Sequence, residues 1–171
     1  MAISKFNYNS FNVTPVAGAA LAFDADADGF STASATSMVL IKTLTASSSA
    51  TLSFVDGSSD VVLDSTYPIY RFEFINIHPA TDQVEFSFNF STDGGSNYNV
   101  TKTSTFIEVF HFENDANSGL GYASSHDLAQ STAFQKLTSN QGNLSDESGS
   151  GYLELFNPSS SVFVKHFISN M

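Results

Sequence analysis

The sequence predicts an all-β protein: an antiparallel β-sandwich or jelly roll, in a single domain with an irregular N-terminal arm. Apolar and polar residues alternate with period two in several segments, as in strands that bury one face. Short runs rich in Ser, Gly, Asn and Asp separate these segments and are typical of turns. Of the 171 residues, 17 are phenylalanine, while the long side chains that favour helix surfaces are sparse.

Two segments carry the clearest strand pattern. In IYRFEFINI (69–77), Tyr70, Phe72 and Phe74 share one face. In VEFSFNFS (84–91), four apolar side chains share a face in the same way. A helix turns about 100° per residue and would scatter these side chains around its axis. We therefore expect the aromatic faces of the two strands to form the core.

Further strands are predicted at 38–45, 50–56, 104–112, 151–156 and 161–168. The DGG sequence at 93–95 ends a strand and predicts a hairpin or bulged loop. The NPSS sequence at 157–160 is short enough to join two strands as a hairpin. Several strands without a helical insert favour a sandwich or jelly roll.

Two segments are patterned more weakly. Residues 124–149 fit either a helical turn near 128–137 or irregular chain with one strand at AFQKLT (133–138), and the second interpretation is preferred. VAGAALAF (16–23) fits an arm or an edge strand. The predicted organisation is an N-terminal arm or edge strand over 1–37, followed by the sandwich over 38–171.

The charge balance limits the partners. The chain has 6 Lys and Arg against 17 Asp and Glu, a formal charge of −11. Such a protein is repelled by nucleic acid and by anionic membrane surfaces, so we expect no direct binding to either. No stretch approaches the ~18 apolar residues of a membrane-spanning helix. Without cysteine there is neither a disulfide nor a thiolate zinc site.

The stretch FDADADGF (23–30) begins like a calcium-binding loop. Asp24, Asp26, Asp28 and Gly29 match positions 1, 3, 5 and 6 of an EF-hand loop, but position 12 is Ala35 instead of a bidentate glutamate. The alternative is a solvated acidic turn. We therefore expect at most a structural calcium ion at the three aspartates, and no other cofactor.

No catalytic signature is visible. A G-x-S-x-G elbow, a Walker loop and a dinucleotide fingerprint are all missing from the sequence. Histidines with the spacing of a metal site are missing as well. The four histidines are His78, His111, His126 and His166. We expect a protein that is not an enzyme.

Carbohydrate binding is a rival function. Carbohydrate-binding modules stack sugars on exposed aromatic side chains, and this chain has no tryptophan. Tyr98 and Tyr122 lie near predicted loops and are the candidate glycan-binding residues. The alternative is that they pack at the bases of loops with their hydroxyls reaching water.

The block DSTYPIYRFEFINIHPATDQVEFSFNFSTDGGSNYNVTKTSTF (64–106) is more specific than any of these motifs. It resembles a module of virion structural proteins from marine bacteriophages, cyanophages above all. The resemblance continues in DLAQS (127–131), LELFNPSS (153–160) and VKHF (164–167), and so covers about residues 64–169. Members of this family are fibre, tail or head-surface components, and the resemblance brings no catalytic residues.

The resemblance implies a non-enzymatic bacteriophage structural protein, located in the virion and assembled in the host cytoplasm. We expect it on the particle exterior, as a head decoration protein or as a tail-fibre, receptor-binding subunit that recognises a host surface glycan. The shortness of the chain favours decoration. The expected partners are other virion proteins, either the major capsid protein or tail proteins, and further copies of the chain in a homo-oligomer.

Overall fold

The computed structural model describes residues 19–23, 30–33 and 38–171, and every regular element among them is a β-strand. All of the strand pairs in these residues are antiparallel. The all-β class predicted from the sequence is therefore confirmed, and a helical turn near 128–137 is wrong. The chain divides into two compact units, Met1–Thr43 and Leu44–Met171. The boundary predicted between residues 37 and 38 stays a prediction.

The described part of the first unit contains one strand pair. Strand β1 (Ala20–Phe23) pairs with β2 (Phe30–Ala33), and Phe23 lies opposite Phe30 with the ring centroids 5.2 Å apart. A strand is thus present in the segment predicted as an arm or an edge strand. Asp24, Asp26 and Asp28 lie outside the described residues, so the calcium site stays a prediction.

The second unit contains three small sheets. Its strands are β3 (Ile69–Ile77), β4 (Ser87–Phe88), β5 (Ile107–His111), β6 (Ser118–Tyr122), β7 (Gln135–Lys136), β8 (Gly149–Phe156) and β9 (His166–Asn170). One sheet has the order β3-β8-β9, and the other two are the pairs β4-β7 and β5-β6. The pairing of the described strands does not define a closed barrel, a sandwich or a jelly roll.

The three-stranded sheet has a buried face. Tyr70 lies opposite Leu155, and Phe72 lies opposite Leu153. Tyr70, Leu153 and Leu155 are buried, and Phe167 of β9 extends the same face beside Leu155. The period-two alternation of β3 thus orients its apolar side chains as the sequence predicts.

Aromatic rings join this face to the segment around β4. Phe74 meets the ring of Phe86 edge-on at 5.0 Å between centroids, and Phe88 meets Phe167 in the same way at 5.2 Å. The predicted core of two aromatic faces is confirmed in part. These phenylalanines are half-buried. The buried positions belong to Tyr70 of β3 and to residues such as Leu137, which lies outside the two predicted strands.

Several predicted strands are wrong or shorter. Residues 38–45 and 50–56 form no strand, the strand predicted at 84–91 is restricted to β4, and β9 begins at His166. Alternation records which side chains share a face, whereas a strand also needs a hydrogen-bonded neighbour. Leu40 and Leu52 in the first two segments are exposed, in keeping with chain that gains no such neighbour among the described residues.

The two predicted loops are present. Gly94 and Gly95 take φ values of +68° and +84°, which favour glycine, and the Val100 amide donates to the Phe90 carbonyl across the loop. Strands β8 and β9 pair as a hairpin, and their connection runs over residues 157–165 rather than the four residues of NPSS.

Candidate functional site

Strands β5 and β6 form a hairpin that pairs with no other described strand. Val109 lies opposite Leu120, with Ile107 opposite Tyr122 on one side and His111 opposite Ser118 on the other. The connection between the strands is closed by backbone bonds. The Phe112 amide donates to the Asn117 carbonyl at 2.8 Å, and the Asp115 amide donates to the Phe112 carbonyl at 2.9 Å.

One face of this hairpin is apolar and uncovered. Ile107, Val109, Leu120 and Tyr122 are each 63–77% exposed, and they are adjacent because they occupy two neighbouring cross-strand pairs. We call these four residues the hairpin face. Fully burying a large apolar side chain stabilises a protein by about 1.5–3 kcal/mol. Each side chain of the hairpin face lacks most of this stabilisation in the isolated chain.

The opposite side of the hairpin carries Glu108, Phe110 and two glycines. The Phe110 ring lies over Gly119, so that a Cβ atom on Gly119 would come within 2.9 Å of Phe110 Cε1. Glu108, on the same side, accepts a hydrogen bond from the Ser139 hydroxyl. One side of the hairpin is thus linked to Ser139 by a hydrogen bond, and the other presents the hairpin face.

A second apolar surface lies in the β8–β9 connection. Val162, Phe163 and Val164 are 71–79% exposed. The amides of Val162 and Phe163 both donate to the Ser160 hydroxyl oxygen, at 3.2 and 3.1 Å. The Lys165 ammonium donates to the Phe163 carbonyl at 2.8 Å. Local hydrogen bonds therefore fix a loop that holds three consecutive apolar side chains outward.

Tyr98, one of the two predicted glycan-binding residues, is half-buried at the base of the 90–100 loop. Its hydroxyl and the Val55 side chain both lie close to Gly95, about 3 Å from where a Cβ atom would be. Its carbonyl accepts a hydrogen bond from Asn89 Nδ2 at 2.6 Å. This environment places the ring against the loop.

The same loop carries a carboxylate with a perturbed pKa. Hydrogen bonds from the Ser91 hydroxyl, and from the amide and side chain of Asn97, lower the pKa of Asp93 to about 2. The Ser91 hydroxyl oxygen in turn accepts the Gly95 amide at 3.0 Å. Asp93 is therefore saturated by its own loop, which indicates a structural role.

Tyr122, the other predicted glycan-binding residue, is exposed and belongs to the hairpin face. Its hydroxyl donates to the Asp127 carboxylate, and this hydrogen bond raises the pKa of Tyr122 above its ordinary value of 10.0. The other Asp127 oxygen accepts the Phe106 amide at 2.6 Å. Tyr122 thus presents a fixed ring, but its hydroxyl and that of Tyr98 have different neighbours and form no shared site.

The chain also contains a buried lysine that the sequence pattern did not flag. Lys102 Nζ donates to Asn89 Oδ1 at 2.5 Å and to the Val100 carbonyl at 2.8 Å. Burial lowers the pKa of Lys102, and no described carboxylate forms an ion pair with it. Its hydrogen bonds tie the 89–102 segment together, which is a structural function.

No group of three or more His, Asp or Glu residues that could hold a metal ion occurs in the part of the chain that the structure describes. His78 and His111 are bound to the Leu144 carbonyl and to Asp115. A depression of about 290 Å³ is lined by Asp82, Gln83, Asn140, Gly142, Leu144 and Glu147. In this depression, the Glu147 carboxylate accepts a hydrogen bond from the Leu144 amide at 2.8 Å.

Sequence analysis missed the site that the structure brings forward. The two glycines of NSGLGY (117–122) favour a turn, yet the segment contains strand β6. The signal was the spacing of Leu120 and Tyr122, which alternate with glycines and match the alternation of Ile107 and Val109 in β5. Residues 161–165 were included in a strand although they form the exposed loop.

Comparisons with known proteins give no further guide to the site. A scan against models of protein families finds no match, and searches of curated proteins and of solved structures find none either. The described residues contain no helix with the length and apolar character needed to span a membrane.

Proposed function

We propose that the chain is a non-enzymatic structural protein of a bacteriophage virion, displayed on the particle exterior as a head decoration protein. The observation that carries the proposal is the hairpin face, four large apolar side chains that the described chain leaves uncovered. An apolar patch on an acidic protein indicates a surface that another macromolecule covers. Subunits of repeated assemblies have such surfaces, and the resemblance of residues 64–169 to virion proteins points to the particle.

The finer architecture is part of the proposal. The β3-β8-β9 sheet and the β4-β7 pair form the two layers of a β-sandwich of jelly-roll type. The edge-on contacts of Phe74 with Phe86 and of Phe88 with Phe167 support it, because they join the inner side chains of the two layers. A rigid sandwich suits a subunit that presents hairpins and loops to its neighbours.

Charge supports an exterior position. With a net charge of −11, the chain is repelled by packaged DNA, and we propose no direct contact with nucleic acid. The proposed partners are the major capsid protein and further copies of the chain. Each contact can be small, because a repeated lattice multiplies weak contacts into a stable attachment.

A tail-fibre subunit that recognises a host surface glycan is the second candidate. The exposed and fixed ring of Tyr122 favours it, because a sugar ring can stack on such a side chain. Tyr98 contributes less, since it is half-buried. The apolar neighbours of Tyr122 on the hairpin face favour a protein partner over a sugar, and decoration remains the first proposal.

Localisation tests the proposal. An antibody against the chain, carrying a gold label, is applied to purified particles of the phage that encodes it and imaged by electron microscopy. We expect label distributed over the head, with a copy number fixed by capsid symmetry. Label confined to the tail would reject decoration in favour of the fibre role, and unlabelled particles would reject both.

A matched pair of variants connects localisation with the hairpin face. Leu120→Asp places a charge on the face, whereas Ser145→Asp places the same charge at another exposed position. We expect particles to incorporate the Ser145 variant normally and to lose the Leu120 variant. Equal incorporation of both would show that the hairpin face has no part in attachment.

A further inference from the structure

Lys102 and Asn89 bring an amine against the carbon of an amide inside the second unit. Lys102 is 6% exposed, and its Nζ lies 2.5 Å from Asn89 Oδ1. Because a carbonyl bond is about 1.2 Å long, Asn89 Cγ lies within about 3.7 Å of Nζ. Reacting atoms in a near-attack geometry are about 3–3.5 Å apart. The lysine is therefore placed for a reaction with the amide as well as for a hydrogen bond.

The surroundings of Nζ suit a neutral amine better than an ammonium ion. The described residues give Nζ two acceptors, Asn89 Oδ1 and the Val100 carbonyl at 2.8 Å. A neutral amine satisfies both of its N–H groups there and keeps its lone pair free, whereas the third N–H of an ammonium ion would be buried without a partner. Burial accordingly lowers the pKa of Lys102. The neutral amine is the nucleophilic form of lysine.

The amide of Asn89 is fixed and polarised by its own hydrogen bonds. Its Nδ2 donates to the Tyr98 carbonyl at 2.6 Å and to the Thr132 carbonyl at 3.0 Å. The Phe90 backbone amide donates to Asn89 Oδ1 at 2.9 Å. Attack at Cγ places negative charge on Oδ1, and a backbone N–H at this distance stabilises such an oxyanion. The contact thus contains a nucleophile, an electrophile and an oxyanion donor.

The backbone holds both residues in place. The Lys102 amide donates to the Ser131 carbonyl at 2.8 Å, and the Ser131 amide donates to the Lys102 carbonyl at 2.9 Å. Asn89 directly follows β4, in which Phe88 pairs with Gln135 of β7. Both residues are therefore held beside the 131–135 segment. The fold supplies the high effective concentration that a reaction between two weakly reactive side chains needs.

We propose that Lys102 and Asn89 form an intramolecular isopeptide bond. Lys102 Nζ attacks Asn89 Cγ, so that a C–N bond forms and the Cγ–Nδ2 bond breaks. The proton that Nζ loses passes to Nδ2, which leaves as ammonia, and the reaction needs no oxidant, cofactor or second protein. No described carboxylate is paired with Nζ to carry this proton. We therefore expect a slow reaction that follows folding.

The bond closes a covalent ring over residues 89–102. A cross-link over a loop of about 15 residues stabilises a protein mainly by restricting its unfolded chain. For a chain of this size, the expected rise in the melting temperature is roughly 6–12 °C. The chain has no cysteine, so the isopeptide bond supplies the kind of cross-link that a disulfide gives to other proteins. This inference is independent of a role in the virion.

Mass spectrometry of the purified full chain tests the proposal. The folded chain is incubated for several days at about pH 9, where a larger fraction of lysine side chains is neutral than at pH 7. We expect the intact mass to fall by the mass of one ammonia molecule, either before purification or during the incubation. An intact mass that still equals that of the unmodified sequence after the incubation would overturn the proposal.

Peptide mapping distinguishes the isopeptide bond from a cyclic imide at an asparagine, which also forms with loss of ammonia. Chymotrypsin cleaves after aromatic residues and therefore cuts at Phe90 and Tyr98, between the two reacting positions. The fragments that contain Asn89 and Lys102 should be recovered as one joined species. Recovery of these fragments only as separate peptides would overturn the proposal.

Two lysine variants assign the bond to Lys102. Lys102→Arg keeps the charge but has no neutral amine, because a guanidinium group stays protonated, and we expect this variant to keep its full mass. Lys136→Arg is the matched control, since the Lys136 ammonium is paired with Glu85, and it should form the joined species like the native chain. Loss of ammonia from Lys102→Arg with the same joined fragments would contradict the assignment. The map of the native chain decides the proposal if the Lys102 variant does not fold.

Discussion

The β3-β8-β9 sheet and the β5-β6 hairpin are built from the same alternating pattern, yet they use it differently. In the sheet, the apolar face carries Tyr70, Leu153 and Leu155 and is buried within the chain. In the hairpin, the apolar face carries Val109 and Leu120 and is exposed. The first face stabilises the fold, and the second is available to a partner.

The polar side of the sheet sharpens the contrast. There the Arg71 guanidinium lies 3.9 Å from the centre of the Tyr152 ring and forms ion pairs with Glu154 at 3.1 Å and Glu73 at 3.3 Å. This surface satisfies its own charges and suits contact with water. Both surfaces are exposed, and the hairpin face differs from this one because its exposed side chains are apolar.

The strongest test compares two leucines. Leu153→Ala should reduce the free energy of unfolding by ~2–5 kcal/mol, because it leaves a cavity at a residue that is 3% exposed. Leu120→Ala should change it by no more than ~0.5 kcal/mol, because Leu120 is 77% exposed. Urea unfolding followed by circular dichroism at low protein concentration measures both. Equal losses would remove the distinction between a folding face and a binding face.

The two glycines of β6 lie on the Phe110 side of the hairpin and differ in the space around them. Gly119→Ala should destabilise the chain by ~1–3 kcal/mol, because the new methyl group meets the Phe110 ring. Gly121→Ala should be neutral or stabilise by up to ~1 kcal/mol, because nothing lies within 4 Å of its Cβ position. Thermal unfolding of the two variants gives the comparison. If both are neutral, the hairpin is not packed on its Phe110 side.

A smaller effect is expected on the polar side of the sheet. Arg71→Lys should cost about 1 kcal/mol or less, because lysine keeps the charge but loses the planar group that stacks on Tyr152. Screening by solvent keeps the contribution of the exposed ion pairs small. Urea unfolding at low and high salt measures it. A loss comparable to that of Leu153→Ala would mean that the polar side, too, supports the fold.

The smallest effect concerns two tyrosines whose pKa values are raised for different reasons. Burial, more than any other cause, raises the pKa of Tyr70 in the sheet, whereas the hydrogen bond to Asp127 raises that of Tyr122 in the hairpin. Both contributions to stability are present below about pH 10 and are lost as the pH rises through the folded-state pKa values. Asp127→Asn should lower the pKa of Tyr122 and leave that of Tyr70 unchanged. Ultraviolet titration, with Tyr122→Phe to assign the signals, measures both, and equal shifts would contradict the two causes.

The sequence predicted the sheet better than the hairpin for a physical reason. Strand β3 has the predicted bounds 69–77, and β8 begins two residues before the predicted 151, because both alternate strongly and are covered on one face. Strand β6 was missed because its polar side is glycine, which signals a turn and here accommodates the Phe110 ring. Segments 38–45 and 50–56 show the converse, since their alternation finds no paired neighbour.

The candidate site was predictable only in part. Tyr122 was singled out from its place near a loop, but the partners that make it part of an apolar face depend on the register of β5 with β6. Register follows from tertiary packing and turn geometry, which one sequence does not specify. The three aspartates of the N-terminal segment and the resemblance to virion proteins stay predictions.

The pairing of β3 with β8 also has a consequence for the order of folding. Arg71 and Glu154, which face each other across that pair, are 83 residues apart in the chain, and contacts of such long range form slowly. The β5–β6 hairpin is local and forms within microseconds. During synthesis the residues of the hairpin are made before those of β8, with an interval on the order of seconds at ~5–20 residues per second. The apolar hairpin can therefore form while the main sheet still lacks its central strand.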